Sequence, residues 1–264
     1  MMYFEAGGVY VGGNKPLFGY RDLIPESDIS AEFSTLGFEP ENVADGFTWD
    51  YWKPGQDSYI EFSFAEESDV DYVAIAAHNL SNEISGSVQI QHFLSPDWVT
   101  ILTIPAAQIT DDRPIIAALQ SRSIGLLRVQ LNGASAEARI GVIYAGELLQ
   151  SQRGIYVGHS PITLNRDTQT VSDRTEGGQW VGRNIIRQSN STSINLSHLR
   201  ADWYRANMDP MVAEIITKPF FFAWRPEEYP DETAYVWTTK EPTPQNSGPV
   251  DLMSVTLSVT GFIE

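Results

Sequence analysis

Cysteine, long apolar runs and positive charge are missing or scarce in this sequence. The chain of 264 residues has no cysteine, so it forms neither disulfides nor thiolate metal sites. No apolar run approaches the roughly 20 residues that cross a bilayer as a helix, and we expect no membrane insertion. With 17 Lys and Arg against 34 Asp and Glu, the net charge is −17. This balance disfavours nucleic acid and anionic membranes as partners.

Recognisable catalytic motifs are also missing. The histidines stand outside His-Glu-x-x-His and other short zinc spacings, and there is no Gly-x-Ser-x-Gly elbow or Gly-Lys-Ser/Thr phosphate loop. We therefore predict no catalytic residues, no enzyme and no cofactor, and we interpret His78, at the end of an apolar run, as structural. The many carboxylates leave a glycosidase pair open, because a sequence does not give the separation of two carboxyl groups across a cleft.

Short stretches of alternating apolar and polar residues dominate the first half of the chain after residue 58. Such stretches are typical of strands with one buried face, and Gly, Asn, Asp, Ser and Pro separate them. The most apolar stretch, residues 71–78, is predicted as a central strand. Seven segments predict an antiparallel β-sandwich, and they are residues 59–64, 71–78, 87–93, 98–104, 113–119, 125–131 and 139–149.

A run that precedes these strands combines turn residues with aromatic residues. Pro40 fixes φ, and the Asp45-Gly46 pair supplies a residue at positive φ. Three aromatic residues, Trp49, Tyr51 and Trp52, follow within a few positions. The run resembles the opening of discoidin-like (coagulation factor 5/8 type C) sandwiches of the galactose-binding-like class, and the matching positions are Pro40, Asn42, Asp45, Gly46 and Trp52.

This resemblance covers about residues 30–150 and implies a jelly-roll sandwich with Trp52 in its core. Pro96-Asp97-Trp98 departs from the usual Asp-Gly before the hairpin tryptophan, and the cysteine pair of the animal members is absent. Relatives often hold calcium with loop carboxylates, which makes Asp45 and Asp50 the candidate calcium ligands. A hard ion needs several oxygens. The sequence lacks a dense Asp-x-Asp spacing, so we expect no metal.

The second half of the chain contains the best helix and a long alternating strand at its end. Residues 201–217 are predicted as the main helix, because apolar residues recur near helical spacing and Lys218-Pro219 ends the pattern. Residues 220–224, 233–239 and 252–263 are predicted as strands. The phrases at residues 219–226 and 253–261 resemble those of tailed-bacteriophage tail proteins, which form rings at the distal tail or tail tip.

Together the patterns predict a mainly β chain in three parts. These are an N-terminal arm (residues 1–30), a discoidin-like antiparallel β-sandwich of jelly-roll type (31–150), and a β-rich α+β domain with one main helix (151–264). The first five residues lack the basic and apolar regions of a signal peptide. We expect the protein in the host bacterial cytoplasm during assembly and then in the tail of the virion.

The candidate ligand-binding residues are Trp49, Asp50 and Tyr51, because the rings of Trp49 and Tyr51 suit either the face of a sugar or packing at one end of the sandwich. The preferred hypothesis is a structural component of a phage tail, a distal-tail or tail-tip ring protein that carries a carbohydrate-binding-like sandwich. Its expected partners are other tail proteins, further copies of itself in a ring, and a host surface glycan. A free lectin-like carbohydrate-binding module and a glycan-active enzyme are the alternatives.

Overall fold

The computed structural model describes residues 3–6, 14–155, 158–247 and 251–262, and in these ranges the chain is mainly β. The α-helical parts of these ranges are the short α1 (Leu80–Glu83) and a longer segment made of α2 (Ala201–Trp203), a π-helical turn (Tyr204–Met208) and α3 (Asp209–Ile215). Three 3-10 turns, at Ile24–Glu26, Pro40–Ala44 and Ala106–Gln108, accompany them. The strands are β1 (Tyr3–Glu5), β2 (Leu17–Gly19), β3 (Asp28–Ala31), β4 (Ser58–His78), β5 (Ile84–Leu94), β6 (Asp97–Pro105), β7 (Ile115–Ala134), β8 (Ile140–Gly146), β9 (Leu149–Gln150), β10 (Arg166–Arg174), β11 (Trp180–Arg200), β12 (Phe220–Ala223), β13 (Thr233–Thr238), β14 (Gln245–Asn246) and β15 (Leu252–Phe262).

Two long strands, β4 and β7, build the N-terminal sandwich. They have 21 and 20 residues and pair with each other in antiparallel fashion along both halves. The first half of β4 also pairs with β3, whereas its second half pairs with β8. In the same way, β7 pairs with β1 through its first half and with β5 through its second, and β6 follows β5. Both long strands therefore cross from one layer of the sandwich into the other.

The predicted antiparallel β-sandwich is confirmed, but two of its strand boundaries are wrong. Residues 59–64 and 71–78 were expected as separate strands, and the structure joins them in β4. The polar link between them contains neither Gly nor Pro, so the backbone stays extended through an irregular, exposed stretch between Ser63 and Ser68. Residues 113–119 and 125–131 are joined in β7 in the same manner.

The second half of the chain forms an eight-stranded sheet in the order β10-β11-β15-β13-β12-β2-β9, with β14 beside β15. The predicted main helix is confirmed as the segment from α2 to α3, and Pro210 lies in the first turn of α3, where proline is tolerated. Its buried side chains Tyr204, Met208 and Met211 share one core with those of the sheet. The long strand β11 pairs with β10 through its first half and with β15 through its second.

The residues predicted as an N-terminal arm contribute strands to both sheets. β1 pairs in parallel with β7, and β3 lies at the edge of β4. β2 lies between β12 and β9 in the second sheet. Residues 7–13 of this stretch lie outside the described residues. The boundaries proposed at residues 30 and 150 stay predictions.

A third apolar cluster joins the two sheets. Tyr72 and Tyr144, on the outer side of the sandwich, share this cluster with Phe221 and Tyr235 of the second sheet. The ring of Phe221 lies 5.3 Å from that of Tyr144 and 4.8 Å from that of Tyr235, measured between centroids. The second half of β4 is therefore covered on both faces, which explains its nearly continuous apolar sequence.

No helix in the described ranges combines the length and the apolar character that a membrane crossing requires.

Candidate functional site

The segment from Pro40 to Trp52, called here the candidate binding loop, begins with a 3-10 turn (Pro40–Ala44) and bends at Asp45 and Gly46. Gly46 has a φ of +77°, so the positive φ predicted for this pair is confirmed. The Asp45 carboxylate accepts a hydrogen bond of 2.7 Å from the Phe47 N–H. This bond closes a local turn of the kind that Asp favours.

Both ends of the bend are tied to buried structure. The Tyr235 hydroxyl donates a 2.8 Å hydrogen bond to the carbonyl of Gly46. Trp52 is fully buried, exchanges two backbone hydrogen bonds with Ile140 and donates its indole N–H to the carbonyl of Phe33. The interpretation of Trp52 as a core residue is confirmed. The stretch between Gly46 and Trp52 is thus a short surface segment, and hydrogen bonds to buried residues hold both of its ends.

Two aromatic side chains of this surface segment face solvent. Trp49 is 74% exposed and Phe47 is 54% exposed. Their rings stack with 6.2 Å between centroids and 26° between planes. Sequence reasoning found Trp49 but missed Phe47. The available signal was a further aromatic residue, Phe47, two positions before Trp49 in the same turn-rich run.

Tyr51 is half-buried and lies in a second aromatic stack. Its ring is 4.8 Å from the ring of Phe38, with 14° between the planes. The guanidinium carbon of Arg139 lies 5.3 Å from the Tyr51 ring centroid, within the range of a cation–π contact. A depression of about 210 Å³ opens here, and its lining residues are Thr48, Trp49, Tyr51, Ala77, Arg139 and Phe262. Arg139 and Phe262 are distant in sequence from the loop, so no local pattern indicates them.

Asp50, the third predicted ligand-binding residue, holds the loop together. One of its carboxylate oxygens accepts hydrogen bonds from the Asn42 amide at 2.9 Å and from the Tyr51 N–H at 3.0 Å. The Asn42 amide also donates to the carbonyl of Tyr51. The structure therefore places Asp50 beside Trp49 and Tyr51 and shows a loop-fixing contact for its carboxylate. Contact between Asp50 and a ligand stays a prediction.

The two candidate calcium ligands, Asp45 and Asp50, lie near each other. Partial burial raises the pKa of the Asp45 carboxyl, the Phe47 N–H bond offsets part of that rise, and the charge of Asp50 adds to it. Among the residues that the structure describes, no three His, Asp or Glu side chains gather as a metal site would require.

His78 has the structural role that the sequence analysis predicted. It is fully buried at the end of β4. Its Nε2 lies 2.9 Å from the carbonyl of Arg113, and its Nδ1 accepts a hydrogen bond from the Leu80 N–H. A carbonyl needs a donor and an N–H needs an acceptor, so these contacts select the neutral ring with its proton on Nε2. Burial lowers the pKa of His78 to about 4, against smaller opposing contributions from the Arg113 carbonyl and from Asp112.

No protein-family model matches this chain, and no curated protein does. Solved structures with a similar fold over about half of the chain include carbohydrate-binding modules. A chitosan-binding module from a chitosanase/glucanase of Paenibacillus is 16% identical, with a TM-score of 0.41, and covers 48% of this chain and 99% of its own. A pectin-binding module is 15% identical, with a TM-score of 0.38, and covers 46% and 89%.

A putative α-L-fucosidase from Bacteroides thetaiotaomicron is 16% identical, with a TM-score of 0.40, and covers 50% of this chain and 29% of its own. At these values the likeness assigns no ligand and no site residue to this chain. The resemblance of the second half to phage tail proteins stays a prediction.

Proposed function

We propose that this protein is a non-enzymatic structural protein whose sandwich binds carbohydrate at the candidate binding loop. The observation that carries the proposal is the exposed position of Trp49 at the rim of the depression shared with Tyr51 and Arg139. A large apolar ring in water is costly to maintain, and a rigidly held aromatic surface beside polar groups is a common form of ligand site. The apolar face of a sugar ring covers the indole, while its hydroxyl groups reach the Thr48 hydroxyl and the Arg139 guanidinium.

The rigid support of the loop favours binding. Asp50, Asn42 and the Tyr235 hydroxyl hold the backbone on both sides of Trp49. A ligand therefore meets a surface that already has its bound shape, and little conformational entropy is lost on binding. This argument also gives Asp50 a positioning role without direct contact.

A glycan array and calorimetry on the purified chain test the site. We expect Trp49→Ala to weaken binding at least tenfold, or about 1.4 kcal/mol, because the stacking surface is lost. Tyr229→Ala is the control, since Tyr229 is an aromatic residue that is 40% exposed and lines neither this depression nor the hairpin. Equal affinity of Trp49→Ala and the wild-type chain for every bound glycan would reject the site.

The lining of the depression supports a binding rather than a catalytic role. Glycoside hydrolysis generally uses two carboxyl groups that flank the scissile bond, about 5–10 Å apart. The residues that line the depression at Trp49 include neither Asp nor Glu. We therefore expect no turnover of the bound glycan.

We further propose that the protein is a ring-forming component of a phage tail, as the resemblance of its second half suggests. The observation that favours assembly is the β10–β11 hairpin, defined as residues 166–187. From Ser189 towards its tip, β11 pairs only with β10 among the described strands. A two-stranded ribbon is only marginally stable alone in water, so a partner surface would stabilise it.

One face of this hairpin has the composition of an interface. The cross-strand pairs Thr170–Ile185 and Arg174–Trp180 lie on the same face. On that face the apolar side chains of Trp180 and Ile185 are exposed, and Arg183 lies between them. Trp and Arg are the residues most enriched among the energetically dominant positions of interfaces.

Charge favours a second copy of this chain as the partner. The hairpin has four Arg against three acidic residues, in a chain whose net charge is −17. Residues 32–41 have the opposite character, with Glu32, Glu39, Glu41 and no basic residue. Phe33 and Leu36 are exposed in the same segment. A contact of the hairpin with residues 32–41 of a neighbour joins two different surfaces, and such contacts close into rings when the rotation allows.

Mass spectrometry of purified virions tests the tail role. The chain should be present in the particle in several copies. Its absence from particles, while it is expressed in infected cells, would reject the tail role and favour a free carbohydrate-binding module.

A further inference from the structure

A second, larger depression lies on the C-terminal sheet and is called here the Trp237 groove. Its volume is about 690 Å³, and Trp237, 41% exposed, forms one wall. The other lining residues are mostly polar and come from β10, β11 and β15: Asp167, Gln188, Ser189, Asn190, Thr260, Gly261 and Phe262. As in the depression at Trp49, an exposed indole lies beside polar side chains, which are here hydroxyl, amide and carboxylate groups.

The floor of this groove is built by the sheet. Gly261 pairs with Asn190 on one side and with Val236 on the other. A Cβ atom at Gly261 would lie 2.7 Å from the end of the Ile162 side chain, so the backbone of the floor packs closely against the core beneath it. The amide of the buried Asn190 donates a 2.7 Å hydrogen bond to the carbonyl of Ile162. Backbone pairing thus fixes the positions of Trp237 and Thr260, which are cross-strand partners.

The two depressions share a wall. Phe262 lines both the Trp237 groove and the depression at Trp49. It follows Gly261 in β15 and pairs with Tyr235, whose hydroxyl holds the candidate binding loop through Gly46. The candidate binding loop of the sandwich and the Trp237 groove of the second sheet are therefore adjacent parts of one surface.

We infer that this surface is one extended site for a linear oligosaccharide, in which Trp49 and Trp237 stack on different sugars of the same chain. The inference rests on the proposed carbohydrate function and adds the class of ligand, a chain of several sugars rather than a terminal monosaccharide. Asp167 and the strongly negative protein charge disfavour a polyanion. The favoured ligand is a neutral or N-acetylated polysaccharide.

The experiment is calorimetry of the full chain with oligomers of glucose, galactose and N-acetylglucosamine that contain one to six sugars. For at least one series, the affinity should rise with length once the oligomer reaches both tryptophans. Trp237→Ala should remove that rise, at least tenfold for the longest oligomer, and leave the affinity for one or two sugars unchanged. Trp237→Phe should restore part of the rise, because it keeps an aromatic face, and Tyr229→Ala should behave like the wild-type chain.

The possible outcomes separate the two claims. If short oligomers bind but affinity does not increase with length, or if Trp237→Ala binds the longest oligomer like the wild-type chain, the extended site is wrong and the site at Trp49 stands. If the wild-type chain binds no oligomer of any length, the proposed carbohydrate function falls together with the extended site.

Discussion

At the scale of single residues, the buried His78 gives the clearest prediction of how folding stability depends on pH. Its two hydrogen bonds require the neutral ring, and its pKa falls from 6.5 to about 4 in the folded chain. The unfolded chain therefore binds a proton before the folded chain does, so this residue contributes stability above pH 6.5 that is lost as pH falls to about 4. A shift of this size corresponds to roughly 3 kcal/mol.

Urea unfolding of the wild-type chain and of His78→Gln between pH 7 and pH 4 measures this contribution. The difference in unfolding free energy between the two should shrink by about 2–3 kcal/mol over that range. The comparison is needed because burial raises the pKa values of Asp22 and Asp71 to about 7 and about 6. Those carboxyl groups stabilise the folded chain as pH falls and oppose the effect of His78. A difference that stays constant with pH would contradict the role given to His78.

The residues that the sequence predicted and those that it missed differ in where their partners lie. Trp52, His78 and the positive φ of Gly46 follow from local patterns, namely a run of turn residues and the end of an apolar stretch. Phe38, Arg139 and Phe262 enter the site through packing between distant segments. Trp237 was read only as part of a strand, because its exposure depends on which face of β13 the second sheet leaves open.

At the scale of elements, the strand pattern predicted the sandwich well but not the lengths of its strands. Period-two alternation identifies a strand wherever one face is buried, and it stops where both faces are exposed, as near Glu66 in β4. The pairing of β10 with β11 was missed for the same reason. The hairpin has exposed residues on both faces, so burial imposes no alternation on it.

The β10–β11 hairpin gives a prediction at this scale. Reversing two charges in Arg174→Glu/Arg183→Glu should abolish self-association at protein concentrations where the wild-type chain associates, as measured by light scattering and sedimentation. Glu32→Arg/Glu41→Arg, in the proposed acceptor segment, should do the same alone and should restore association when combined with the hairpin variant.

The control reverses the charge of an arginine that lies outside the hairpin. Arg205→Glu changes an exposed arginine in the π-helical turn and should leave association unchanged. Because each reversal weakens a contact with an opposite charge, only a true pairing gives rescue in the combined variant. Failure of rescue would reject residues 32–41 as the acceptor, and a monomeric wild-type chain at every concentration tested would reject self-assembly in solution.

At the scale of the whole molecule, the cluster of Tyr72, Tyr144, Phe221 and Tyr235 makes the two sheets depend on each other. These side chains are buried between the sheets. Either half alone would expose them to water, which costs about 25 cal/mol for each Å² of apolar surface. We expect the chain to unfold in a single cooperative transition.

Differential scanning calorimetry and tryptophan fluorescence measure this cooperativity. The calorimetric and van't Hoff enthalpies should agree for the wild-type chain. Phe221→Ala should destabilise both sheets together, by about 3–5 kcal/mol, because it leaves a cavity between them. Phe33→Ala, at an exposed position, should cost less than about 1 kcal/mol. Two separate transitions in the wild-type chain would contradict the shared core.

The hydrogen bond from Tyr235 to Gly46 constrains how this protein can evolve. The proposed sugar-binding loop is held by the neighbouring sheet, so the sandwich alone does not contain the complete site. Transplanting the sandwich alone onto another protein would leave the carbonyl of Gly46 without its donor and remove the wall that Phe262 provides. Changes in glycan preference should therefore arise by substitutions within the two linked sheets, in the loop together with the distant residues Tyr235 and Phe262 that contact it.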